Sequence, residues 1–131
     1  QAKNGGVFYC GEEVKDYENG QIVSTAGSWE AGVDGALPGI VMPAVPVTND
    51  VYRQEFYAGE AEDMMEFIDV GATLTVRAGT FDDVVLTRDW TPLDPDTIEE
   101  KAYARGVGKI REAKTTGGSS FAELVEYNPG T

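Results

Sequence analysis

Histidine is absent from this chain of 131 residues, cysteine occurs once, at Cys10, and basic residues are scarce, 10 against 23 acidic ones. Each shortage excludes a class of chemistry. Without histidine no serine can be activated by the usual Ser-His-Asp relay, so Ser24, Ser28, Ser119 and Ser120 carry no triad. Without histidine and with one thiol there is no zinc-ligand set, no CxxC pair and no intrachain disulfide. Cys10 stands near Glu12 and Glu13, and acidic neighbours raise a thiol pKa, so it reads as a small core residue and not as a nucleophile. The net charge of −13 repels a phosphate backbone and anionic lipid alike, because binding either requires clustered Lys and Arg. Nucleic acid is therefore not an expected partner. Long apolar runs are missing too: the longest uncharged stretch, Gly35 to Asn49, contains Pro38, Pro43 and Pro46. It is shorter than the ~18 apolar residues of a membrane span, and prolines break a helix.

What is present is β-branched and aromatic residues cut into short runs by turn residues. Forty-one per cent of the chain is hydrophobic, and a chain of this length buries about two-thirds of its unfolded surface, enough for one core. Residues 1–131 are read as a single β-rich domain. Val7–Cys10 is a short strand candidate. Val14–Tyr17 and Ile22–Thr25 flank Asn19-Gly20, the dipeptide that best supplies two positive φ angles, and predict a hairpin. Val51–Tyr57 alternates with a period of 2. Glu60–Ile68 fits half a strand as well as a helix, and the Ala58-Gly59 turn ahead of it favours the strand. Ala72–Val76, Phe81–Trp90, Ile98–Tyr103, Lys109–Thr115 and Phe121–Tyr127 bring the expectation to about nine strands.

Between Ala26 and Asp50 the apolar residues show neither period, and the stretch carries Gly27, Gly32, Gly35 and Gly39 with Pro38, Pro43 and Pro46. This predicts an ordered excursion without elements, with Trp29, Leu37, Ile40, Val41, Met42, Val45 and Val47 laid on the sheet. The expected fold is mainly β, a curved antiparallel meander forming a half-barrel or open barrel, with a β-sandwich as the alternative. Trp90, Tyr103, Phe121, Leu86, Ile110 and Leu124 are its expected core.

The strings FYCGEEVKDYENG, SWEAGVDGALPGIVMPA, YRQEFYAGEAEDM, TVRAGTF and AYARGVGKIRE, in that order, resemble the C-terminal two-thirds of a family of uncharacterised, secreted or lipoprotein-like bacterial β proteins. That family shows a V-P-A-G-T-F segment followed by Y-Y-A-P-G-V-G. Arg77 and Arg105 stand where it tends to place proline. The resemblance implies an extracytoplasmic location and strands ahead of Gln1, and it brings no established activity. If such strands exist elsewhere, Val7–Cys10 and Val14–Tyr17 are left with unpaired edges. A homodimer through that region is then expected, with Phe8 and Tyr9 at the interface.

Candidate sites are few. Carboxylates cluster at Glu12/Glu13, at Glu60/Glu62/Asp63/Glu66 and at Asp94/Asp96/Glu99/Glu100. Paired carboxylates serve glycoside hydrolysis only where a cleft sets their separation, and Asp94-Pro95-Asp96 lacks the glycine and spacing of a calcium loop. No metal and no cofactor is expected. Gly106-Val107-Gly108 and Gly117-Gly118 lack the lysine and following helix of a phosphate loop. The aromatic set Phe8, Tyr9, Tyr17, Trp29, Tyr52, Phe56 and Tyr57 suits either a core or an apolar ligand cavity. Trp29, Tyr52, Phe56, Tyr57 and Trp90 are the candidate ligand residues. The expected function is a non-enzymatic binding or interaction module holding a small apolar ligand or a partner segment. A self-associating structural protein is the alternative, and a carboxylate-dependent hydrolase a distant third.

Overall fold

A computed structural model describes residues 1–130, all β and turn with no helix among them. The chain divides into two compact units. One comprises Gln1–Val45, Tyr52–Met64 and Thr91–Leu93; the other takes Pro46–Val51, Met65–Trp90 and the chain from Asp94 onward.

The first unit is made of two- to four-residue strands: β1 (Val7–Tyr9), β2 (Gly11–Glu12), β3 (Asp16–Glu18), β4 (Gln21–Ser24), β5 (Trp29–Glu30) and β6 (Gly39–Met42). They pair antiparallel as β1 with β6, β2 with β5 and β3 with β4. Asn19 and Gly20 have φ of 50° and 80° at the tip of β3–β4, as the hairpin expectation requires. The excursion, in contrast, does contain elements. β5 and β6 lie inside it, because the prolines bracket four consecutive residues, Gly39–Met42, that are free to donate to a ladder. They take one edge of the strands expected to be unpaired: β1 has β6 as its neighbour and β2 has β5, and each pair is a two-stranded sheet. Leu37, Val45 and Val47 are exposed and not laid on a sheet. Cys10 is exposed as well, a correction to its reading as core. The small core is Trp29, Ala36 and Ala61, with Tyr9, Ala31 and Tyr57 packed against it.

β7 (Val51–Arg53), shorter than the Val51–Tyr57 read from the sequence, is the outermost strand of a six-stranded sheet. The others are β8 (Met64–Val76), β9 (Gly79–Thr91), β10 (Asp94–Ala104), β11 (Gly108–Thr116) and β12 (Phe121–Glu123). Their spatial order is the sequential one reversed, β12-β11-β10-β9-β8-β7, so the sheet is an open meander and not a closed barrel. Of the expected strands Glu60–Ile68 and Ala72–Val76, Met64–Ile68 and Ala72–Val76 prove to be parts of one long strand, β8, while Glu60–Asp63 lies ahead of it. Met65 and Phe67 are buried at odd-numbered residues of β8, whereas Val76 is buried at an even-numbered one. The strand thus changes which face it buries near Asp69, and two half-strands with opposite polarity read as two elements. β9 shows a related shift: Phe81 packs on the same cluster as Val84 and Leu86. Asp83, at φ 53°, lies where the phase changes.

The core of this unit is Val84, Ala102, Ala104 and Ile110, flanked by Ala72, Leu74, Phe81, Leu86, Val107 and Leu124. Ile110, Leu86 and Leu124 are where the sequence put them. Phe121 is not: it is 61% exposed, because β12 is three residues at the sheet's edge with a neighbour on one side only.

Candidate functional site

Three features offer chemistry, and each is built by a pair of strands. The first is the hairpin β3–β4. Its seven strand residues are exposed, apart from half-buried Ser24 at the base. Tyr17 lies opposite Ile22, and Tyr17, Ile22 and Val23 are 61, 50 and 55% exposed. The root is tied by Ser28, whose Oγ accepts from Val14 N–H at 2.9 Å and donates to Val14 C=O at 3.2 Å. Among the described residues no third strand adds to either side. Two isolated strands are marginal in water, and this pair shows water an apolar cross-strand pair.

The second is an open cleft of about 520 Å³ beside β2 and β5, lined by Gly11, Glu12, Glu13, Ser28, Trp29 and Glu30. Trp29 is almost wholly buried beneath it, with Tyr9 meeting it edge-on at a centroid distance of 5.5 Å. The Tyr9 hydroxyl donates to Glu12 at 3.1 Å. Partial burial, and then the negative charges of Glu55 and Glu12, push its pKa well above the ordinary tyrosine value. Glu13 pairs with Lys15 at 2.6 Å. The indole Nε1–H of Trp29 is buried and has no hydrogen-bond acceptor.

Of the candidate ligand residues, Trp29 lines this cleft, and Tyr57 packs against the same small core. Phe56 bridges to Leu37 and holds the Arg53 guanidinium 4.6 Å from its ring centroid. Tyr52 and Trp90 are half-buried and line neither this cleft nor a second, smaller one between β11 and β12. Phe8 is 48% exposed on β1. Glu30 was not singled out by the sequence, and Ser28 was weighed only as a triad serine. Only the β2–β5 pairing, invisible in a run with no period, brings them beside Glu12.

The third feature lies on β9 and β10, where polar side chains are buried. Asp89 and Thr87 are 4 and 0% exposed. Thr87 Oγ1 donates to Asp89 Oδ1 at 2.7 Å, and Lys101 Nζ lies 2.8 Å from Asp89 Oδ2 and 3.7 Å from Glu99 Oε2. The close Lys101–Asp89 contact is not aligned as a hydrogen bond, so Oδ2 receives no aligned donor. Burial by itself would lower the Lys101 pKa; the Asp89 carboxylate outweighs it and holds the ammonium above its ordinary value. Beside them the Tyr103 hydroxyl is pushed up to about 12, by burial first and then by Asp89. At the surface of β11, Lys109 donates to Glu112 and lowers that carboxyl's pKa.

Among the described residues no group of three His, Cys, Asp or Glu side chains converges as a metal site, and no helix is long and apolar enough to cross a membrane. No family model, curated protein or solved structure matches the chain.

Proposed function

We propose that this protein is a non-enzymatic interaction module, and that the segment it holds is the β3–β4 hairpin of a second copy. The observation that carries this is the exposed cross-strand pair Tyr17–Ile22 with Val23 beside it, on a hairpin whose outer backbone edges have no neighbouring strand among the described residues. Two such hairpins meeting edge to edge about a two-fold axis make a four-stranded sheet and cover both apolar patches at once. The charge of −13 per chain opposes the approach, so apolar burial must supply the attraction, and added salt should strengthen it.

Light scattering at micromolar concentration in moderate salt tests the reading. The expected result is a mass approaching twice that of the chain, returning to one chain in Tyr17→Ser/Ile22→Ser. A mass of one chain, unchanged by concentration and salt, overturns it. The cleft over Trp29 favours a second reading, a small bound molecule. Native mass spectrometry of the purified protein separates the two, since it weighs a retained ligand and a second copy in one measurement.

A further inference from the structure

We propose that Lys101 and Asp89 join in an intramolecular isopeptide bond that staples β9 to β10, with Glu99 carrying the proton. Three observations converge on this pair. The amine nitrogen is 2.8 Å from a carboxyl oxygen, and the two side chains are only 14 and 5% exposed. That oxygen, Oδ2, is buried yet receives no aligned hydrogen bond, so the contact is close without being the in-line arrangement a salt bridge prefers. The other oxygen, Oδ1, accepts from Thr87 Oγ1 at 2.7 Å, which fixes the carboxyl plane and places a donor where negative charge would develop.

The reaction starts from the ion pair. A proton passes from the ammonium to Oδ2, leaving a neutral amine beside a neutral acid; Asp89 favours the charged pair, so this neutral pair is the minor form through which the reaction runs. The Nζ lone pair then attacks Cγ. The carbonyl π electrons move onto Oδ1, where the Thr87 hydroxyl stabilises them. Glu99, whose Oε2 is 3.7 Å from Nζ, takes a proton from the nitrogen and returns it to the Oδ2 hydroxyl. The Cγ–Oδ2 bond breaks with its electrons on oxygen, the carbonyl re-forms, and one water leaves. Glu99 ends as it began, and the process needs neither oxidant nor cofactor. In dilute solution an amine and an acid do not condense, but two groups fixed in contact react at effective molarities of roughly 10⁵–10⁸ M. Exclusion of water from the pair disfavours the reverse hydrolysis.

Denaturing intact-mass measurement, followed by tryptic digestion, tests the bond. The wild-type protein should be lighter than its sequence by one water, while Lys101→Arg, which keeps a cation beside Asp89 but cannot form this amide, should have its full sequence mass. Trypsin should fail to cut after Lys101, and the peptide running from Asp89 to Arg105 should appear one water light. This assignment is separate from cyclisation of Gln1, which loses ammonia at the other end of the chain. Glu99→Gln should leave a large unlinked fraction in freshly refolded protein. Recovery of the Asp89-to-Lys101 peptide at unmodified mass from the wild type overturns the proposal, and full linkage in Glu99→Gln removes Glu99 from it. If Asp89→Ala does not fold, the Lys101→Arg comparison still decides.

Discussion

The N-terminal unit and the long-stranded unit solve the same backbone problem in different ways. β8, β9, β10 and β11 run for 13, 13, 11 and 9 residues, and each satisfies its N–H and C=O groups in ladders. Short turns connect them, and cross-strand side chains such as Thr75 with Thr80 and Thr73 with Asp82 meet at 2.8 Å. β1 to β6 are too short for that, so single bonds from turns do the work: Ala31 N–H to Cys10 C=O, Gly32 N–H to Ala36 C=O, Leu37 N–H to Phe56 C=O. One unit is held by periodic side chains on ladders, and the other by particular backbone conformations around a core whose one large buried residue is Trp29. Side-chain truncation should therefore be the sensitive probe of the first, and backbone substitution of the second.

Glycine replacement tests this contrast most severely. A Cβ added at Gly39 would stand 1.8 Å from the carbonyl oxygen of Gln54. Backbone has to move, and Gly39→Ala should be the most destabilising single change in the molecule, beyond about 4 kcal/mol. At Gly71 in β8 an added Cβ meets nothing within 4 Å, and Gly71→Ala should be neutral or gain about 0.4–1 kcal/mol by restricting the unfolded chain. Urea denaturation of both variants checks the pair. Equal effects would dissolve the distinction between the units.

Large-to-small replacements come next. Phe67 is fully buried in β8, and Phe67→Ala should lose about 3–5 kcal/mol. Trp29→Ala should lose a similar amount by volume, about 3–5 kcal/mol, although its indole N–H is buried without an acceptor. An unsatisfied buried donor costs about 1–3 kcal/mol. Trp29→Phe, which deletes it while keeping a ring, should stay within about 1.5 kcal/mol of wild type. A Trp29→Phe midpoint as low as that of Trp29→Ala would mean that the indole N–H has a partner in solution.

These contrasts also explain what could be read from the residues in order. The meander was legible because β-branched and aromatic runs are separated by turn residues at Arg77-Ala78, Pro92-Leu93 and Gly106, the connections that precede β9, β10 and β11. The β3–β4 hairpin was legible from Asn19-Gly20 alone. β5 and β6 were not, since a two-residue strand has no period and a proline on either side of Gly39–Met42 argues against one. β8 was split because its buried face changes midway. Of the candidate sites, Trp29 was found as an isolated aromatic. The Glu12–Glu30 neighbourhood and the Asp89–Lys101 pair depend on long-range pairing, which no local pattern encodes.

Alkali separates the units by their tyrosines. Tyr103 belongs to the long-stranded unit and Tyr9 to the other, and both are raised above their unfolded value of 10.0. A raised folded pKa means that the native state holds its proton longer. The contribution is complete below pH 10.0, and it is lost as pH climbs toward the Tyr103 value of about 12. Stability should fall across that window. In Tyr103→Phe the fall should be shallower, because one of the two groups no longer titrates. Urea midpoints at successive pH values, with tyrosinate absorbance recorded alongside, check this; a flat profile through the window would contradict the burial of both rings.

The smallest effect is expected at Phe121. A large aromatic residue in the last strand of a meander would normally be core, and truncating it would then cost about 3–5 kcal/mol. In the structure Phe121 faces water at 61% exposure, opposite Ala113 at the start of a three-residue edge strand. The bonds that hold this segment are backbone ones: Lys114 N–H to Ser120 C=O, Leu124 N–H to Ile110 C=O and Ala78 N–H to Leu124 C=O. None of them needs the ring. Phe121→Ser should therefore shift the denaturation midpoint by no more than a surface change does, about 0.5 kcal/mol. Leu124→Ala, three residues further along, just past β12, and packed on the Ile110 cluster, should cost several times as much. If instead Phe121→Ser is the more damaging of the two, the ring is covered in solution, and the β12 edge rather than the β3–β4 hairpin is where a second chain attaches.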